Sequence, residues 1–182
     1  GKIGDINANL LGMIFVGKIL MAALSRVDTP ENQRRDFNLF IDEFQNFTTD
    51  SIATILSEAR KYRLNLTIAH QFIAQLVEKI KDSVFGNVGS MVCFRIGAGD
   101  SEALVKQFAP VFSEQDLMNI DNFNAYARLL INSETSKPFN IKTLRMENGD
   151  FENANILREM SRVKYGRDRE VIESEILRRL RE

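Results

Sequence analysis

The sequence predicts an α/β fold with a mainly parallel sheet and an antiparallel edge. Two apolar runs, FNLFI at residues 37–41 and LNLTIA at residues 64–69, are typical of strands that are covered on both faces. One helical segment separates them, as the crossover between parallel strands requires. A third run, VGSMVCFRI at residues 88–96, follows another helical segment. Strands that alternate with helices in this way favour a parallel sheet.

The segment before the first strand predicts a long apolar helix. Asp5 or Asn7 is the candidate cap, and the helix should run to about Arg26. Because apolar residues occur nearly all round it, we expect this helix to be buried against the sheet. Its apolar part, residues 10–24, contains Lys18 and is shorter than the roughly 20 residues of a bilayer span. A buried or half-buried helix is therefore favoured, and no membrane span is expected in this chain.

Helical periodicity also predicts the elements around the second and third strands. The candidate caps of the crossover helix are Thr48, Thr49 and Asp50. A second helix is predicted at residues 72–81, and a third at residues 102–108 with Asp100 as its cap. Arg95 lies within an apolar run, so its charge should be paired, with Asp100 or Glu102 as the candidate partner.

The remaining chain predicts a short helix, two strands and a helical tail. Ser113 and Asp116 have the spacing of a loose capping box. The two strands, residues 126–131 and 139–144, are expected to pair antiparallel across the turn-like sequence NSETSKP. From Asp150 the sequence alternates charges of both signs, which predicts two helices at residues 152–164 and 167–181. We therefore expect one domain at residues 1–149 and a helical appendage at residues 150–182.

The composition restricts the functional classes only weakly. With 24 basic and 25 acidic residues the net charge is -1, so contact with nucleic acid would have to come from local clusters of charge. A single cysteine, Cys93, excludes an intrachain disulfide and favours a buried thiol in a reducing compartment. The sequence thus predicts a cytoplasmic domain.

Polar residues follow the two predicted parallel strands. Asp42 and Glu43 come directly after the first strand, and Gln71 follows the second. Ligands of open α/β sheets bind at the carboxyl ends of the strands. There an aspartate suits Mg²⁺, a glutamate could polarise an attacking water, and an amide could bond both the water and a terminal phosphate. An acidic pair that only ends a strand, and a Gln71 that only bonds local backbone, are the structural alternatives.

Two other residues near these strands have less specific interpretations. His70 is the only histidine, so it lacks a partner for a histidine-based metal site, and packing or orientation of Gln71 is the better interpretation. Arg60 ends the crossover helix beside Lys61 and Arg63. It could reach the site of a neighbouring subunit as an arginine finger. Alternatively, the three cations only complement the helix dipole.

The sequence lacks the phosphate-binding half of a nucleotide site. No G-x-x-x-x-G-K-[ST] motif occurs, and Gly1-Lys2 is followed by Ile3 rather than by a hydroxyl residue. We therefore expect the phosphate-binding loop upstream of Gly1, and no ATP hydrolysis by the isolated chain.

Four segments together resemble a known family: FNLFIDEFQNF, SEARKYRLNLTIAHQFIAQL, GNVGSMVCFRIGAGDSEAL and SRVKYGRDRE. The chain is similar to the C-terminal half of the motor domain of HerA/FtsK-superfamily P-loop ATPases. It looks most like type IV secretion coupling proteins and conjugative DNA-transfer ATPases. The resemblance implies a three-layer RecA-like core, here without its Walker A half, followed by C-terminal helices.

The resemblance also implies roles for single residues and for the whole protein. Asp42 would bind Mg²⁺ at the end of the Walker B strand, Glu43 would be the catalytic carboxylate, Gln71 the γ-phosphate sensor, and Arg60 the arginine that acts across subunits. The intact protein would be a hexameric ring that uses ATP and Mg²⁺ to move DNA, with secretion or DNA-processing partners. It would be cytoplasmic, at the inner face of the membrane through upstream segments. Lys79 and Lys81 are candidate DNA contacts.

Two alternatives remain open. A HerA-like translocase that serves a nuclease would have a similar core. A non-catalytic assembly or interaction domain would use the acidic pair only structurally.

Overall fold

The computed structural model describes residues 4–48, 50–146 and 149–181. The chain divides into two compact units, Gly1–Thr143 and Leu144–Glu182, and each is described by itself. The strands and the first five helices belong to the larger unit, and the last two helices belong to the smaller one.

The elements of the larger unit alternate between helix and strand in its first two thirds. In chain order its elements are α1 (Asp5–Leu24), β1 (Phe37–Ile41), α2 (Asp50–Glu58), β2 (Leu64–Ile68), α3 (Glu78–Asn87), β3 (Met91–Cys93), α4 (Ala98–Phe108), α5 (Glu114–Met118), β4 (Asn124–Arg128), β5 (Leu130–Ile131), β6 (Glu134–Thr135) and β7 (Phe139–Lys142). Short 3-10 helices occur at Ser25–Asp28, Glu31–Gln33, Phe44–Phe47, Ala59–Tyr62 and Ile73–Gln75.

Strands β1 and β2 form the predicted parallel pair. Their register runs from Phe37 opposite Leu64 to Ile41 opposite Ile68. One face of this pair packs on a hydrophobic core that includes α2 residues Ile52 and Ile55 and parts of α1 and α3. The α/β class and the first two predicted strands are confirmed.

The third strand differs from the prediction in its partner. β3 pairs antiparallel with β4, and β4 pairs antiparallel with β7. Within the described residues no ladder joins this sheet to the β1–β2 pair, so the two parallel strands do not extend into a mainly parallel sheet. The alternation of strands and helices along the chain does not specify which strands pair with each other. Here the backbone groups of β3 form their hydrogen bonds with β4.

Helix α1 is not buried on all sides, contrary to the prediction. Val16, Leu20 and Ala23 lie in the core, whereas Phe15 and Met21 are 59% and 66% exposed. Only 11% of its most apolar stretch is buried, and by length and composition alone Ile6–Asp28 could cross a membrane, a test that core helices of soluble proteins also pass. The spacing of the buried residues presents one helical face to the core, Ile19 and Leu24 pack against the edge of that core, and Phe15 and Met21 face outward.

The predicted cap of α1 is wrong, because the helix begins at Asp5 after Gly4, which provides no side-chain cap, and Asn7 lies within the helix. Helix α2 begins at Asp50, and of its predicted caps Thr49 lies outside the described residues.

Helices α3 and α4 begin at other residues than predicted. The segment predicted as a helix from residue 72 forms a 3-10 turn, and α3 begins only at Glu78. Helix α4 begins after Gly97, so Asp100 is a buried residue of its first turn rather than its cap. Arg95 is exposed and donates to the Asn122 side-chain oxygen at 3.2 Å; the prediction that Asp100 or Glu102 pairs with it is wrong.

A second core cluster lies beneath the antiparallel sheet and contains Cys93, Leu104, Phe108 and Leu117. Burial raises the pKa of the Cys93 thiol to about 11, with a smaller contribution from Asp100. Because the thiolate is the reactive form, this cysteine is an inert core residue at neutral pH.

The predicted local signals after α4 are largely confirmed. Ser113 and Asp116 form a reciprocal capping box on α5. The predicted antiparallel strands correspond to β4 and β7, with a small β5–β6 hairpin between them. Asn132 and Ser133 of its turn both have positive φ, as primed hairpin turns require.

The smaller unit consists of α6 (Phe151–Tyr165) and α7 (Arg169–Arg179). Asp150 and Asp168 cap them by accepting hydrogen bonds from backbone N–H groups of the first turns. Glu159 forms an ion pair with Arg162, and Arg169 forms one with Glu173, along the helix surfaces. These helices therefore depend on local capping and side-chain pairs.

Candidate functional site at the ends of the parallel strands

Backbone hydrogen bonds tie the carboxyl ends of β1 and β2 together beyond the strands themselves. Ala69 N–H donates to the Ile41 carbonyl, and Phe44 N–H donates to the Ala69 carbonyl, both at 2.9 Å. The chain segments that follow the two strands are therefore fixed beside each other. This brings residues 42–45 of one segment next to residues 70–71 of the other.

The turn after β1 is shaped by a left-handed residue and an apolar anchor. Glu43 has φ 49° and ψ 43°, a conformation that costs a residue with a Cβ about 1–2 kcal/mol. Phe44 is fully buried and holds the 3-10 turn in the core. The ring of Phe47 lies against Gly12 of α1, where a methyl group would overlap it. Burial of Phe44 and packing of Phe47 against the core offset the backbone cost at Glu43.

The Glu43 carboxylate is held by two amide groups. Gln71 Nε2 donates to Oε1 at 2.6 Å, and Gln45 Nε2 donates to Oε2 at 2.7 Å. Hydrogen bonds to a charged acceptor are shorter and stronger than neutral ones. Each oxygen keeps a lone pair for a further proton or water. The structure thus brings Glu43 and Gln71 into direct contact.

Asp42 occupies the exposed side of the same turn. Its Oδ1 accepts a hydrogen bond from the Glu43 N–H at 2.9 Å, which leaves Oδ2 without a bond among the described residues. Among the described residues no group of three potential metal ligands occurs. Magnesium retains several waters and commonly takes only one or two protein carboxylates, so Asp42 fits such an ion.

Arg60 lies away from this cluster. It precedes β2 in the 3-10 turn Ala59–Tyr62, at the end of the strand opposite to Gln71. The five residues of β2 separate the two edges by about 16 Å at 3.3 Å per residue. The chain therefore does not bring Arg60 to its own acidic pair.

Two arginines from the loop before β1 hold the turn that carries Arg60. Arg26 donates to the Tyr62 carbonyl at 2.9 Å, and Arg34 donates to the Lys61 carbonyl. The Arg34 guanidinium also lies over the Tyr62 ring, 5.5 Å from its centroid. Cations at the C-terminal end of a helix interact favourably with its dipole. They also donate hydrogen bonds to the last carbonyl groups, which have no partner within the helix. The side chain of Arg60 remains exposed.

His70 is half-buried beside the cluster. Its Nδ1 is buried without a hydrogen-bond partner among the described residues, and burial lowers its pKa, opposed by the nearby Asp100 and by the Phe72 backbone. The lowered pKa favours a neutral imidazole at neutral pH, and a role in packing or in orienting Gln71 stays a prediction.

The candidate DNA contacts lie on α3. Lys81 pairs with Glu78 at 3.6 Å, whereas the backbone position of Lys79 is on the exposed face of the helix.

Gln45 is the member of the cluster that sequence reasoning missed. A glutamine two residues after an acidic pair carries no periodic or motif signal. Its proximity to Glu43 depends on the left-handed backbone at position 43, which reverses the chain within one residue. The only available signal was an amide pair, Gln45 and Asn46, between the two aromatic residues of FQNF.

These features define an α/β protein whose polar side chains converge where two parallel strands end. A family model described as the TraM recognition site of TraD and TraG matches residues 36–137. The chain belongs to this family. The predicted resemblance to conjugative coupling proteins is thereby confirmed.

Solved structures of the conjugative coupling protein TrwB share the fold. The unbound bacterial protein has a TM-score of 0.57 and 17% identity over 70% of this chain and 36% of its own. TrwB in complex with the GTP analogue GDPNP and TrwB with ADP and Mg²⁺ each give 0.57 and 18% over 70% of this chain and 35% of theirs. The chain thus spans little more than a third of the structures that it matches. No curated protein sequence matches it.

Proposed function

We propose that this chain is part of an ATP-driven DNA translocase of conjugative transfer, a type IV secretion coupling ATPase. The observation that carries the proposal is the contact between Glu43 and Gln71, at 2.6 Å, where two parallel strands end. It is supported by membership of the TraD and TraG family, which favours a coupling protein over a HerA-like translocase.

Within this proposal each residue of the cluster has one task. Asp42 binds the magnesium ion that accompanies ATP, and this ion neutralises phosphate charge when bound. Glu43 accepts a proton from the attacking water. Gln71 connects Glu43 to the terminal phosphate, so that the state of the phosphate changes the hydrogen bond to the carboxylate. β1 is then the Walker B strand, and Gln71 is the sensor.

The phosphate-binding loop of the proposed site is supplied by a segment outside this sequence. No G-x-x-x-x-G-K-[ST] motif is present, and TrwB is considerably longer than the region that matches. That segment would complete a three-layer RecA-like core around β1 and β2. The chain of residues 1–182 alone is expected to hydrolyse no ATP.

The intact protein is proposed to work as a hexameric ring at the inner face of the membrane, with secretion or DNA-processing partners. The basic side chains of α3, Lys79 and Lys81, are candidate contacts to DNA phosphates. The domain boundary near residue 150 would separate this motor region from a helical appendage.

Arg60 is proposed to serve the site of the neighbouring subunit, because it lies at the edge of β2 opposite to Gln71. Rings of Arg60→Ala subunits and rings of Glu43→Gln subunits should both lose ATP turnover. Mixed rings should regain part of it, since a site between an Arg60→Ala subunit and a Glu43→Gln neighbour can contain both intact residues. Mixtures that remain as inactive as the separate variants would exclude action across subunits.

The function is tested by joining this chain to its natural upstream segment. The full-length protein should hydrolyse ATP, double-stranded or single-stranded DNA should stimulate the rate at least about tenfold, and triplex displacement should report movement along the DNA. DNA contact through phosphates predicts that stimulation weakens with salt. An ATP turnover rate that neither double-stranded nor single-stranded DNA changes would contradict the proposal.

A second candidate function is a protein-recognition module without catalysis. The description of the matching family as a recognition site favours it. In that case the full-length protein would bind a partner protein through residues 36–137, and substitutions at Glu43 would leave its ATP turnover unchanged.

A further inference from the structure

We infer that Gln45 is a positioning residue for the Glu43 carboxylate, an inference that rests on the proposed function. Gln45 Nε2 donates to Glu43 Oε2 at 2.7 Å, on the oxygen opposite to the one that Gln71 holds. Both oxygens are thereby fixed. The two donors come from different segments, one from the turn after β1 and one from the end of β2.

The orientation of the Gln45 amide follows from its neighbour. If the amide were turned round, its carbonyl oxygen would face a carboxylate oxygen at hydrogen-bond distance with no proton between them. The NH₂ group therefore faces Glu43. This leaves Gln45 Oε1 buried, with no hydrogen-bond donor among the described residues.

An unpaired buried acceptor destabilises a fold, and natural proteins contain few of them. In this turn it occurs next to Glu43, whose left-handed backbone is also unfavourable. An apolar side chain at position 45 would remove the first of these costs. The glutamine instead places a donor on the carboxylate, which indicates a role in aiming Glu43 rather than in stabilising the turn.

The two amides have different roles in this arrangement. Gln71 lies at the strand end, where the proposed phosphate sensor contacts the ligand, so its bond to Glu43 must be able to change during turnover. Gln45 belongs to the same turn as Glu43, within a segment anchored by the buried Phe44. It can hold Oε2 while Oε1 exchanges partners, which keeps the carboxylate aimed at one position through the cycle.

The test uses Gln45→Met in the full-length protein, because methionine preserves the length of the side chain but removes both the donor and the unpaired acceptor. DNA-stimulated kcat should fall about 10- to 100-fold, as expected when a reacting group is misplaced by about 1 Å. The KM for ATP should stay within about twofold, and the unfolding midpoint should not decrease. Asn46→Ala, an exposed position in the same turn, is the matched control and should turn over like the wild type.

Combination with Glu43→Gln separates positioning from a structural role. If Gln45 acts through Glu43, adding Gln45→Met to Glu43→Gln should reduce kcat no further. Equal proportional losses in both backgrounds, or a lower unfolding midpoint of Gln45→Met, would overturn the inference. If Glu43→Gln loses turnover while Gln45→Met stays within twofold of wild type, this inference fails alone. If Glu43→Gln itself turns over normally, the proposed function fails.

Discussion

Glu43→Gln is expected to reduce DNA-stimulated ATP turnover of the full-length protein at least about 100-fold, in the range by which general-base catalysis contributes to rates. Glutamine has nearly the shape of glutamate but cannot accept a proton from water at neutral pH. The glutamate oxygens accept from two amide donors, at 2.6 Å and 2.7 Å. Glutamine has only one oxygen to accept with, so Gln45 or Gln71 would have to turn its carbonyl oxygen toward the new NH₂ group to keep both bonds.

Steady-state ATP hydrolysis with and without DNA measures this effect, and nucleotide binding should persist. Glu102→Gln makes the same chemical change at an exposed position of α4 and should leave the rate unchanged. Turnover of Glu43→Gln within about twofold of the wild type would exclude the catalytic role and would favour the protein-recognition module.

Phe44→Ala is expected to lower the free energy of unfolding by about 3–5 kcal/mol, the usual cost of deleting a large aromatic side chain from a core. Phe44 is fully buried and belongs to the cluster that joins α1, α2 and the β1–β2 pair. Since folded domains are stable by only about 5–15 kcal/mol, the variant would be marginally folded. The loss should also release the turn that carries Glu43 and Gln45.

Urea unfolding followed by circular dichroism measures this loss on the chain of 182 residues. Phe40→Ala is the matched control. Phe40 is 73% exposed, on the face of β1 opposite to the buried Ile41, and truncation of an exposed side chain changes the free energy of unfolding little. If both variants lose similar free energy, Phe44 is not the anchor of the turn. Retained ATP turnover of the full-length protein with Phe44→Ala would show that the Glu43 geometry does not depend on this ring.

The sequence was sufficient for the parallel pair because its signals are local and periodic. Two apolar runs separated by one amphipathic helix leave few topologies, since crossover connections between parallel strands follow narrow rules. Once β1 and β2 are parallel, their carboxyl ends lie at one edge, and Glu43 and Gln71 must be neighbours. The capping box of Ser113 and Asp116 was predictable for the same reason, because all its atoms lie within one helical turn.

The partner of β3 and the exposed side of α1 were not predictable in the same way. A strand exposes ladder groups on both sides, and the residues of β3 do not specify whether β2 or β4 satisfies them. An apolar helix indicates burial, but the extent depends on how much surface the remaining fold offers, and here only the face of Val16, Leu20 and Ala23 is covered. Arg95 reached the surface because β3 ends two residues before it.

The sequence by itself determined the α/β class, the parallel pair and the proximity of Glu43 to Gln71, because each follows from short-range pattern and from strand direction. Only the tertiary structure decided that Gln45 holds the second oxygen of Glu43 and that β3 pairs with β4 rather than with β2. The first depends on the left-handed backbone of Glu43 beside the buried Phe44, and the second on which strand the packed fold places beside β3. Both are properties of packed chain segments, which no single stretch of sequence contains.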